Sequence, residues 1–196
     1  ACAGPFYRTS GTDHTTDCSR MAIAKRALFD ILDDNDSSTI TSTDEQTLNI
    51  RLGYMSFNDC SGDDSAGSYS SGCNALLWGI GSLYSRIYCD SKTSCSPTDT
   101  SSNSISGESA NGGTPLVSSL NEAKLYLDYH KSGDSAAACR QKFVILITDG
   151  ADTFACSGTG GENQEDQYKR RRETVAKAKA LADAGHYGFM IEKCHA

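Results

Sequence analysis

Two short stretches carry residue types and spacing that could do chemistry. "GGTP", residues 112 to 115, is a glycine turn that delivers the Thr114 hydroxyl at a helix start. "FVILITDGADTF", residues 143 to 154, is an apolar run ending in Asp149 and Gly150. The run reads as a strand buried on both faces, as in a parallel sheet. In open parallel sheets, ligands sit outside the carboxyl ends of the strands. A carboxylate there is either a ligand for something or a solvated turn residue. Hydroxyl and carboxylate oxygens are hard ligands that suit Mg²⁺, Mn²⁺ or Ca²⁺.

The other familiar chemistries find no footing. No G-x-S-x-G elbow, Walker loop or G-x-G-x-x-G occurs. His14, His130, His186 and His195 are scattered through loops and helix ends, with nothing pointing to a Ser-His-Asp triad. "DDNDSSTITSTDE", 33 to 45, mimics a calcium loop from Asp34 to Glu45 but lacks the glycine its sharp turn needs. It reads as a solvated loop.

Nine cysteines, Cys2, Cys18, Cys60, Cys73, Cys89, Cys95, Cys139, Cys156 and Cys194, contain no C-x-x-C pair. Zinc and thioredoxin chemistry therefore lack support. That many thiols without a metal pattern indicate disulfides made in an oxidising compartment, hence export, and the start at "ACAG" reads as an internal one. Cys60 and Cys73 flank one loop, Cys89 and Cys95 a five-residue loop, and Cys2 and Cys18 the first segment; these three local bridges are expected. The partners of Cys139, Cys156 and Cys194 stay open, and an odd count leaves one thiol over.

The 196 residues are 38% hydrophobic and 22% charged, which gives a globular chain with room for one domain and a core. A formal charge of −7 argues against a phosphate-backbone binder. The basic cluster Lys169 to Arg172 is flanked by acids and reads as a solvated helix face, so no nucleic-acid partner is expected. No run of 18 or more apolar residues spans a membrane.

Around the two stretches, the spacing predicts a helix over 19–34, a strand within 48–59 and an ambiguous "NALLWGIG". The 61–72 and 90–113 loops are polar. Thr114 and Pro115 open a helix to 130 with Leu116, Leu120, Ala123 and Leu127 as its apolar stripe. The 143–148 strand, a helix over 164–184 stopped by Gly185, and a last strand "YGFMIE" follow. Alternation of this kind predicts an α/β fold, a doubly wound, mostly parallel sheet with helices on both faces.

With the two oxygen-bearing stretches placed on that framework, the chain resembles the von Willebrand factor A domain. That family holds a metal ion with a D-x-S-x-S motif, a threonine from a second loop and an aspartate from a T-D-G loop. Thr114 matches the threonine and Asp149 in "ITDGAD" the aspartate, about 35 residues apart with a helix between. "SRMAIAKRALFDIL", "RLGYMSFND", "GGTPLVSSLNEAKLYL", "CRQKFVILITDGAD" and "YKRRRETVAKAKALADAG" together resemble the A domain of PilY/PilC-type proteins, the tip adhesins of bacterial type IV pili. The D-x-S-x-S motif is missing. Asp13, Thr15 and Asp17 are not a substitute, because no apolar strand precedes them.

The resemblance implies one incomplete A domain over 1–196. Its first central strand would lie upstream, residues 1–18 would be an insertion pinned by Cys2–Cys18, and 19–196 would hold the core elements. It also implies a non-enzymatic adhesion domain at a pilus tip or cell surface. A divalent cation at Thr114 and Asp149 would leave one position open for an acidic group of a host or surface ligand. Pilus subunits or minor pilins, and an upstream or donor strand completing the sheet, are the further partners implied. The rivals are a structural pilus-assembly domain with a vestigial metal site and a disulfide-rich secreted hydrolase.

Overall fold

A computed structural model describes residues 20–56, 67–69, 76–109, 114–148 and 164–192, without the side chains of 164–168 and 189–192. The proposed insertion 1–18 lies outside them. The chain is mixed helix and strand, in two compact units: one runs to Tyr54 and takes up Leu76–Asn111, the other takes Met55–Ala75 and Gly112–Ala196.

In the first unit, α1 (Arg20–Leu32) buries Ala22, Phe29 and Leu32, one side of its 3.6-residue period. A second helix, α2 (Ser42–Leu48), stands where the sequence reads as polar loop and the beginning of a strand. Its start is a capping box. The Thr41 hydroxyl accepts from Thr43 N–H at 3.2 Å, and the Asp44 carboxylate accepts from Thr41 N–H at 2.7 Å. Asn49 closes it in the left-handed region, at φ 51°. Among the described residues of the expected 48–59 strand, 48–56, β1 (Tyr54–Met55) forms, and it pairs with β2 (Leu76–Trp78). A short helix α3 (Tyr84–Cys89) follows.

The core here joins Phe29, Ile40, Tyr84, Ile87 and Tyr88. Phe29 and Tyr88 meet edge to face at 5.0 Å. The Cys89–Cys95 bridge forms, and the Ile40–Cys95 backbone pair, with N···O distances of 2.9 Å both ways, ties the loop after α1 to it. Polar anchors hold the long 90–109 segment. Buried Lys25 donates to the Ser106 carbonyl at 2.7 Å, and Tyr54 donates its hydroxyl to Glu108 at 2.5 Å. Burial and the Glu108 charge push the Tyr54 phenol well above its usual range.

In the second unit, α4 (Leu116–Gly133) leads to β3 (Lys142–Thr148), α5 (Gln164–Asp183) and β4 (His186–Glu192). β3 and β4 are parallel, in register from Lys142 opposite His186 to Thr148 opposite Glu192, with α5 as the crossover. Gly185, at φ +81°, supplies the positive φ that lets the chain leave α5 and enter β4 at once. Leu120, Ala123 and Leu181 pack against Val144 and Leu146.

The expectation that this strand is buried on both faces is not met. α4 and α5 cover the Val144/Leu146 side, while Phe143, Ile145 and Ile147 on the other side are exposed, Ile145 at 62%. Among the described residues β3 has β4 as its one strand partner, in a two-stranded sheet rather than a doubly wound one. An apolar run specifies that a strand can be buried, not how many layers arrive to bury it.

Candidate functional site

Thr114 lies directly before α4, half-buried, and its carbonyl accepts from Leu116 N–H at 3.0 Å. Pro115 takes the cap position, one residue later than the sequence places it, without a side-chain cap bond. Ser119 turns its hydroxyl back to the Pro115 carbonyl at 2.7 Å. Thr148, buried, ends β3. Asp149 is the next residue and lies outside the described residues, as do Cys2, Cys18, Cys60, Cys73, Cys156 and Cys194.

Below Thr114 the first turns of α4 are buried nearly all round. Thr114, Ser118, Glu122 and Tyr126 follow one another at intervals of four, the spacing that stacks side chains on one helix face. Ser118 and Glu122 are each only 1% exposed. Ser118 Oγ has no hydrogen-bond partner among the described residues. At the Tyr126 end of this row Tyr69 packs on the helix, with its ring 5.3 Å from Tyr126 and 5.4 Å from Tyr129. Burial raises the Tyr69 phenol pKa, and the Glu122 charge adds to the rise. From the opposite side α5 reaches in through Lys177, whose Nζ donates to Asn121 Oδ1 at 3.2 Å.

These inner polar residues, Ser118 and Glu122, escape a sequence reading that follows the apolar stripe of the helix. The signal that could have found them is the polar row itself, at the same four-residue step as the apolar one. Polar rows on helices face water by default; in this one Ser118 and Glu122 are buried.

The remaining candidates are accounted for structurally. Cys89, Cys95 and Asp99 lie close enough to hold an ion, but the two sulfurs are joined to each other, and a disulfide offers no thiolate. Cys139 is exposed and has no bridge among the described residues. The calcium-like segment is not fully solvated. Asp33 and Asp44 are buried and turned on their own backbone: Asp33 accepts from Ser37 N–H (3.1 Å) and Ser38 N–H (2.7 Å), Asp44 from Asn35 N–H (3.3 Å).

A charged cluster occupies the amino ends of the parallel strands, away from the ends where ligands bind. His186 pairs with Asp128, and Asp128 with Lys124 at 2.7 Å. Asp134 accepts from Arg140 at 2.7 Å and Lys142 at 3.3 Å. The backbone N–H of Ala136 and, against some opposing desolvation, the two cations hold the Asp134 carboxyl below its usual range.

No family model matches the chain, and no curated protein or solved structure matches it either. Among the described residues no helix is long and apolar enough to cross a membrane.

Proposed function

We propose that the chain is an extracellular ligand-binding domain of the von Willebrand factor A type, from a PilY/PilC-like pilus-tip or cell-surface adhesin. It acts by binding rather than by catalysis. The observation that carries this reading is the pairing of an acid, Asp149, directly after the carboxyl end of a parallel strand with a threonine, Thr114, directly before a buried helix in the same unit. Further support comes from the β3–α5–β4 crossover, the repeating unit of a doubly wound sheet, and from the Cys89–Cys95 bridge, which suits export.

In this reading Thr114 and Asp149 supply oxygens to Mg²⁺, Mn²⁺ or Ca²⁺, and further ligands and a further strand beside β3 come from additional sequence or a donor chain. The cation leaves one coordination position for an acidic group of the partner, which an electropositive open site favours.

Thermal unfolding of the chain extended by the upstream sequence that supplies the other ligands, with and without each cation, tests this. A cation at 100 times its Kd stabilises the native state by about 2.7 kcal/mol. Asp149→Ala removes that gain. Equal cation responses in the wild type and Asp149→Ala would overturn the assignment.

A further inference from the structure

The geometry points to Asn35 as an acceptor for an N-linked glycan. Among the asparagines of the chain, Asn35 alone stands in an N-x-[ST] triplet, Asn35-Asp36-Ser37, with no proline between. The structure puts that triplet where a glycan fits. Asn35 lies in the turn between α1 and α2, and Asp34, Asn35, Asp36, Ser37 and Ser38 are all exposed.

The local bonding leaves the reacting atom free. Asn35 Oδ1 accepts from Ser37 N–H at 3.0 Å, which folds the side chain over its own backbone. The Asn35 backbone N–H goes to Asp44. Among the described residues, the side-chain amide nitrogen makes no hydrogen bond, so a substituent on it breaks none. The turn is held from below by buried Asp33 and Asp44, and by the Ser37 hydroxyl, which lies 3.1 Å from Asp33 Oδ1 and 2.9 Å from the Thr39 carbonyl. The backbone around Asn35 is fixed by groups on the protein side, while its amide faces solvent.

The modification needs a saccharide donor linked to a lipid diphosphate, present in an export compartment. The Asn35 Nδ2 electron pair forms the bond to the anomeric carbon. The bond from that carbon to the diphosphate oxygen breaks, its electron pair leaves with the diphosphate, and one amide proton is released. No oxidation or reduction is involved. The inference rests on the export reading above but not on the metal site.

The test is to secrete the full chain from a host that holds an oligosaccharyltransferase and its lipid-linked donor, and to map the tryptic peptide carrying Asn35 by mass spectrometry. The expected result is a saccharide mass on that peptide. Peptide-N-glycosidase should remove it and leave aspartate at position 35. Asn35→Gln and Ser37→Ala should each abolish the shift. Ser37→Thr, which keeps the triplet and the hydroxyl, should retain it, guarding against a trivial folding defect. Asp149→Ala should leave it in place, which separates this inference from the cation assignment. A secreted wild-type chain whose Asn35 peptide runs wholly at its unmodified mass would overturn the proposal.

Discussion

His186, the first residue of β4, directs Nε2 at Asp128 Oδ1 on α4 from 2.8 Å while only 1% exposed, and its Nδ1 has no hydrogen-bond partner among the described residues. One imidazole nitrogen thus joins strand to helix, and the other is buried without compensation. Such an arrangement makes the contact costly to disturb, because removal of the ring leaves a cavity and a carboxylate short of one partner. His186→Ala should destabilise the second unit by about 2 kcal/mol. Urea denaturation of the variant should show a lower midpoint; an unchanged midpoint would mean that the ring contributes nothing.

The same contact gives a pH dependence. Burial pushes the Asp128 carboxyl up, but the hydrogen bonds and charges of Lys124 and His186 outweigh it and hold the carboxyl below its ordinary value. A carboxyl with a depressed folded pKa adds stability above its unfolded pKa of about 3.9 and loses it as pH falls through the folded value. Asp128 is 40% exposed, so solvent limits the gain to about 1 kcal/mol or less. Asp128→Asn should cost stability at pH 6 and converge with the wild type at low pH. A constant difference across a titration from about pH 6 to pH 2 would show that Asp128 is not the titrating group.

Ser118 offers a test of the polar row under Thr114. A buried hydroxyl without a partner costs stability, and alanine also favours helix. Ser118→Ala should therefore leave stability unchanged or raise it by up to about 1 kcal/mol. A loss of more than about 1 kcal/mol in chemical denaturation would show instead that the hydroxyl holds something in the native protein.

The exposed side of β3 can be checked by comparing neighbours. Leu146 packs toward Leu120, Ala123 and Leu181, whereas Ile145 points away. Leu146→Ala should cost about 2 kcal/mol or more and Ile145→Ser under about 0.5 kcal/mol. The reverse order in thermal or urea unfolding would place the covering helices on the other face.

The Cys89–Cys95 bridge closes a short loop, so the chain-entropy estimate for its loss is about 2 kcal/mol. Reduction, or Cys89→Ser with Cys95→Ser, should lower the unfolding midpoint by a corresponding amount. Non-reducing peptide mapping should recover the two residues in one linked species; Cys89 found as a free thiol would refute the pairing.

What the sequence by itself determined is what short-range spacing can specify. The α1, α4 and α5 helices follow from their periodicity, β3 from its apolar run, β4 from its place after Gly185, and the Cys89–Cys95 pair from a loop too short to separate its ends. Thr114 at a helix start and Asp149 after a strand were legible for the same reason. α2 was not, although Thr41 and Asp44 form a capping box, because a seven-residue polar helix has no apolar stripe to announce it. Only the tertiary structure decided that Asp33 and Asp44 turn inward, that Ser118 and Glu122 are buried, and that Phe143, Ile145 and Ile147 stay open while Val144 and Leu146 are covered. Periodicity says which residues share a face, but burial depends on partners distant in sequence. The packing of α4 and α5 on β3, and of Tyr69 on α4, fixes which faces those partners reach.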